Sequence, residues 1–169
     1  PLDVREIHMP DPNLNPPGLF GKLPSTGDFV TRGLPAGFVR VWDAWLSRHL
    51  AARLDRPLRF LIAARGAMAG PMTGVVLPSA DRAGRRYPLA LAAAARAPAA
   101  PDWYEALEAL GAAAMAEGLT ADALHRRLAA HAIAAGAGDP PPLLLWTGTP
   151  LPVDPEAPDP VLDHLLGAA

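Results

Sequence analysis

In this chain of 169 residues the groups able to do chemistry gather in one stretch, where Ser79, Asp81, Arg82, Arg85 and Arg86 stand between two apolar runs. A hydroxyl and a carboxylate this close could serve a hydrolase if a histidine took the serine proton. Ser79 has no Gly-x-Ser-x-Gly elbow and no histidine lies locally as its base, so hydrolysis through Ser79 and Asp81 stands only as the alternative. Guanidinium groups on a loop can hold a carboxylate or phosphate of a partner, or can pair with acids inside the fold. Spacing alone favours the second use. Lys22 joins the set from a distance. It is the one lysine against fourteen arginines, which hints at a place that a planar guanidinium does not suit.

Other chemistries lack their residues. His8, His49, His125, His131 and His164 are scattered, and His125 and His131, six apart, fall on different faces of a helix, so no metal site is expected. There is no cysteine, hence no thiolate nucleophile and no disulfide. The glycines near 18–21 and 66–74 satisfy neither the dinucleotide nor the phosphate-loop spacing, so no cofactor is expected. A formal net charge of -2 does not suit a nucleic-acid binder. No apolar run reaches the roughly 18 residues of a membrane span and no basic-then-apolar leader opens the chain, so a cytoplasmic protein is expected. The Pro- and Asn-rich residues 1–17 read as a disordered leader or linker, and 18–169 as a single domain.

The charged loop needs two strands to hold it. Residues 75–77 and 87–91 have the composition of buried strands, and Pro78, Ser79, Asp81 and Gly84 supply turn chemistry, which predicts a hairpin with a charged tip. A strand over 58–64 precedes them, and three strands with short connections pair antiparallel as a meander, because a parallel neighbour needs a long crossover. A further strand over 18–23 carries Lys22 into a Ser25-Thr26-Gly27-Asp28 turn, after which Phe29 and Val30 should return to the core. That strand needs the same sheet, which brings Lys22, Gly27 and Asp28 near the tip. Asp81 and Arg82 should hold the turn, with Asp28 as partner of Arg82, leaving one of Arg85 and Arg86 free in solvent.

A helix opens near Pro35, is closed by Pro57, and stripes Phe38, Trp42 and Trp45 along one buried face, with His49 at its edge. Asp102 and Glu105 have capping-box spacing for a second helix bearing Trp103, Leu107 and Leu110. Gly118 ends it, Thr120 caps a third that runs to Gly136, and Asp122 and Arg126 form an i,i+4 pair. Residues 143–146 make a last strand, 150–160 are too punctuated to be regular, and 161–166 add a helical turn. This order predicts an α/β fold in which a mixed, largely antiparallel sheet is covered by helices on both faces, a three-layer sandwich. Charge is segregated along it: residues 18–96 carry twelve basic and four acidic groups, residues 97–169 two and ten. The halves can neutralise each other internally or present opposite faces to solvent.

Several of these pieces together resemble a known family. Gly18-Leu-Phe-Gly-Lys-Leu-Pro24 with Gly27-Asp-Phe29, Trp42-Asp-Ala-Trp-Leu46, Arg59-Phe60, Pro78-Ser-Ala-Asp-Arg-Ala-Gly-Arg85 with Tyr87-Pro-Leu89, and Leu145-Trp146-Thr-Gly148 are similar, in register, to the TagF/ImpM family of bacterial type VI secretion-associated proteins. The resemblance implies a compact layered α/β domain and a non-catalytic regulator, a post-translational repressor of the secretion apparatus. It implies a forkhead-associated protein, Fha, as partner in the threonine-phosphorylation pathway. It marks Lys22, Gly27, Asp28, Ser79, Asp81, Arg82, Arg85 and Arg86 as motif or partner-binding residues. The chain is shorter than the usual member between the first helix and Arg59.

Overall fold

A computed structural model describes residues 11–167. In chain order the first half forms β1 (Leu14–Asn15), β2 (Gly18–Gly21), β3 (Val30–Arg32), α1 (Ala36–His49), β4 (Leu58–Ile62), β5 (Met72–Leu77) and β6 (Leu89–Ala93). The second half forms α2 (Pro101–Glu117), α3 (Ala121–Leu128), β7 (Ile133–Ala134), β8 (Leu143–Trp146), β9 (Leu151–Val153) and α4 (Asp159–Leu166). Seven strands make one sheet in the order β3-β2-β6-β5-β4-β8-β9, while β1 and β7 pair apart. Every pairing is antiparallel, including the expected β4-β5-β6 meander.

Antiparallel sheets often leave one face in water, which gives alternating sequences. Here the inner strands are apolar apart from Arg59 and Thr73, and successive side chains feed two separate cores. Phe60, Ile62, Val76 and Leu145 point to one side, where Phe38, Trp42 and Trp45 of α1 and Leu162 of α4 cover them. Leu61, Val75, Leu91 and Trp146 point to the other, under Trp103, Tyr104 and Leu107 of α2 and Leu124 and Leu128 of α3. The result is the three-layer sandwich that element order predicts. Gly74 shows how tightly the central strands meet, since a Cβ there would run into the Leu91 carbonyl oxygen.

Local patterns misplace several boundaries. α1 ends at His49, not near Pro57, and looser turns then swing Leu50 and Leu54 into the core. Asp102 is not a cap: Ala100 takes that place because Pro101, with its fixed φ and no N–H to satisfy, starts the helix, and Asp102 sits in the first turn where a carboxylate suits the helix dipole. Thr120 does cap α3, its Oγ1 accepting from the Ala123 amide at 3.1 Å, but α3 stops at Leu128. A short 3-10 turn then delivers β7 to β1. Residues 150–160 hold β9, which tolerates Pro152 because it is an edge strand. Of the leader expected over 1–17, the first ten residues lie outside the described ones. Beyond them Leu14 pairs with Ala134, and Asn15 Nδ2 donates to the Ala94 carbonyl at 2.9 Å.

Among the described residues three arginines of the basic segment meet acids of the other across the fold. Asp122 pairs with Arg32 of β3 at 2.8 Å rather than with Arg126, Glu108 with Arg59 at 2.6 Å, and Asp163 with Arg53 at 2.8 Å. Each bridge joins the basic half to the acidic one.

The tryptophan stripe makes a stability prediction. Trp42 is fully buried, stacks on Trp45 at 5.1 Å, and has an indole N–H without a partner among the described residues, whereas Trp45 Nε1 donates to the Pro155 carbonyl at 2.9 Å. Trp42→Ala should cost about 3–5 kcal/mol in urea unfolding, as large-to-small core changes do. Trp42→Phe keeps an aromatic ring and removes the orphaned donor, so it should lose less than half as much.

Candidate functional site

The polar motif residues converge on one buried carboxylate. Asp81 is 3% exposed. Its Oδ1 accepts the amides of Ala83 at 2.9 Å and Arg85 at 3.0 Å, and its Oδ2 accepts Lys22 Nζ at 3.0 Å and Arg85 Nε at 2.7 Å. The loop folds this way because an aspartate readily bonds amides two to four residues ahead. Gly84, at φ 81°, supplies the left-handed turn that lets the Asp81 amide donate back to the Arg85 carbonyl at 3.0 Å. Lys22 arrives from β2. Gly21 just before it lies so close to β6 that a Cβ would strike the Pro88 carbonyl oxygen, which brings the lysine under the loop. Burial pushes the Asp81 carboxyl up, but Lys22, the Arg85 amide and guanidinium and the Ala83 amide outweigh it and hold it well below the usual carboxylate range.

A second ring of bonds ties the tip to its surroundings. Ser79 Oγ donates to the Lys22 carbonyl at 2.6 Å. The Arg82 amide donates to the Thr26 carbonyl at 2.7 Å, its guanidinium to the Ser25 carbonyl at 2.5 Å, and that of Arg85 to the Gly27 carbonyl at 3.0 Å. Arg86 Nη2 donates to the Leu54 carbonyl at 2.9 Å. Tyr87 OH donates to Asp43 Oδ1 of α1 at 2.5 Å. Burial, then this bond, raises the phenol well above its ordinary range, so it stays a donor.

The expected site residues are thus brought together, with three corrections. Asp28 is exposed and does not pair with Arg82: Thr26 Oγ1 bonds its backbone carbonyl, while Arg82 and Arg85 take the neighbouring carbonyls of Ser25 and Gly27. Neither Arg85 nor Arg86 is a free guanidinium, since the first answers Asp81 and the second fastens the tip to the turn that follows α1. Phe29 does not return to the core. Phe20, Tyr87 and Lys22 already fill that space, and Phe29 lies over them, 52% exposed. Phe29, Tyr87 and Asp43 were absent from the expected set. Asp43, an acid set between the two tryptophans, was the available signal.

Hydrolysis finds no free groups here. The Ser79 proton is committed to a carbonyl, Asp81 accepts four donors, and among the described residues no histidine bonds either. The crevice between Ser79, Leu54, Arg86 and Tyr87 has no room for a water. Among the described residues no three metal-ligating groups cluster, and no helix is long and apolar enough to cross a membrane.

A layered α/β domain whose hairpin tip is built on a buried Lys22–Asp81 pair is the class of protein that this fold and site define. Residues 18–131 match the family described as the TagF N-terminal domain, type VI secretion system-associated, and the chain belongs to that family. The crystal structure of PA0076 from Pseudomonas aeruginosa PAO1 is similar at 31% identity and a TM-score of 0.53, over 74% of this chain and 65% of that one. The match therefore spans under two thirds of PA0076. No curated protein matches the chain. The family match runs from β2 to the turn after α3, while β8, which pairs with β4, lies beyond it.

The Asp81 cluster should govern both stability and its acid limb. Asp81→Asn strands the buried Lys22 ammonium without its counter-charge and should lower Tm by many degrees. Because the folded carboxyl is depressed below its ordinary 3.8, its contribution is complete above that value and is lost as pH falls toward the folded one. Thermal melts from about pH 6 to pH 2 should therefore fall less steeply in Asp81→Asn than in wild type. Arg85→Glu, which sets a second carboxylate on Asp81, should also lower Tm clearly. Arg82→Glu should cost little, because the bond that places residue 82 is made by its amide.

Proposed function

We propose that this protein is a regulator of a type VI secretion system, a post-translational repressor that works by binding and not by catalysis. Membership of the TagF N-terminal domain family over residues 18–131 is the observation that carries this reading. The reading is supported by the site, where the carboxylate and ammonium that could do chemistry are bonded to each other and the hydroxyl to the Lys22 backbone carbonyl. The protein acts in the cytoplasm through the single domain 18–169, without metal or cofactor. Its partner is a forkhead-associated scaffold protein, Fha, of the threonine-phosphorylation pathway. Of the motif residues, Lys22, Ser79, Asp81, Arg85 and Arg86 hold the tip in shape, and Gly27, Asp28 and Arg82 present it.

Two measurements test this. Deleting the gene should raise secretion of a type VI substrate in the native cell, and restoring it should lower secretion again. Purified protein should bind the forkhead-associated protein in titration calorimetry and should turn over no phosphoester or ester. Turnover that disappears in Ser79→Ala would transfer the function to the hydrolase alternative.

A further inference from the structure

Two large apolar side chains are exposed among the described residues, Leu14 at 37% and Phe29 at 52%. Single exposed apolar residues are ordinary on protein surfaces. Phe29 differs in being clamped. Its ring lies parallel to Phe20 at 6.0 Å, meets the edge of Tyr87 at 4.8 Å, and has Lys22 Nζ 5.0 Å from its centre. Lys22 and Tyr87 are themselves immobilised by Asp81 and Asp43, so the ring is held in place by the same buried bonds that build the tip. An aromatic ordered before contact loses little freedom on binding, and such groups beside arginines are the usual anchors of protein interfaces.

Around it Lys22, Arg82, Arg85 and Arg86 stand with Asp28, Asp43, Asp55 and Asp81, and Arg86 is drawn toward Asp55 and the Leu54 carbonyl. Lys22 and Arg85 are answered by Asp81, but the exposed Arg82 guanidinium makes one bond, to the uncharged Ser25 carbonyl, and no ion pair among the described residues. Its remaining donors are available to a carboxylate in bidentate geometry. We infer that Phe29 and Arg82 form the centre of a docking surface for an acidic segment of a partner protein, which lays an apolar side chain on the Phe29 ring and a carboxylate on Arg82. The inference rests on the reading of this protein as a regulator that acts by binding, and it names the surface.

The test uses the whole chain, with the purified forkhead-associated protein as probe. Phe29→Ala should weaken binding roughly ten-fold or more, and Arg82→Glu should do the same while flattening the salt dependence. Both variants should stay folded by circular dichroism with Tm lowered by no more than a few degrees, and Leu14→Ala should change nothing. If the wild type binds and neither variant weakens it, the surface is wrong while the regulator reading stands. If the probe does not bind wild type, that partner is wrong, and photocrosslinking from benzoylphenylalanine at position 29 in the native cell decides the surface. A crosslinked acidic segment of one protein, whose purified form binds wild type and loses affinity with Phe29→Ala and Arg82→Glu, upholds it. No product, a product formed by two copies of this chain, or a crosslinked segment without carboxylates overturns it.

Discussion

A carboxylate withdrawn from water has to be surrounded by donors, and Asp81 imposes that condition on the whole end of the molecule where it lies. Its two amide donors require the tight turn closed by Gly84, and its two cations require that β2 run beside β6 and that Arg85 fold back over the loop. Once those are in place, the 25–27 segment is held by the Arg82 amide and the Arg85 guanidinium, and Ser25 in turn bonds the Leu119 carbonyl beyond α2. On the other side Tyr87 ties the hairpin to Asp43 of α1 and Arg86 to the turn after it. One buried charge thereby connects the sheet to elements of both outer layers.

This arrangement changes what the family motif means. Its polar residues look like a reactive set when written in a line, yet in the fold most are spent on one another. Residues of this kind identify the architecture, and they do so because a hairpin tip with a buried aspartate tolerates few substitutes. They say little about which surface meets a partner. That surface has to be sought among side chains that the scaffold holds firmly but does not consume, and the exposed edge of Phe29 and the outer donors of Arg82 meet that description.

The two cores have a related consequence. Because both faces of the sheet are covered, its inner strands offer a ligand no polar face: Thr73, the buried hydroxyl of β5, is satisfied by the Phe60 carbonyl and Tyr104 OH, and Arg59 of β4 by Glu108. Openings occur instead at the rim, where α1 meets the 154–159 segment and leaves a cleft of about 570 Å³. Its walls bring Arg48 and Arg53 together with Glu156 and Asp159, a mixed lining that selects neither an anion nor a cation.

By itself the sequence determined the elements whose signals are local. Apolar runs of strand length gave the meander, the spacing of Phe38, Trp42 and Trp45 gave the buried face of α1, and Gly118 and Thr120 marked the break between α2 and α3. The lack of cysteine, of metal-ligand spacing and of a nucleophile elbow was equally legible, as was the approach of Lys22 to the charged hairpin. Pairings between distant groups were not. Asp28 was the expected partner of Arg82 and Arg126 that of Asp122, whereas the fold answers Arg85 with Asp81 and Asp122 with Arg32. The choice depends on the register of β2 on β6 and on α3 lying beside β3, which no short window records. Phe29 faced outward for the same reason: whether an apolar residue is buried depends on what already fills the space beneath it. Only the tertiary structure placed Phe20, Tyr87 and Lys22 there first, because only long-range packing sets which side chains compete for one volume.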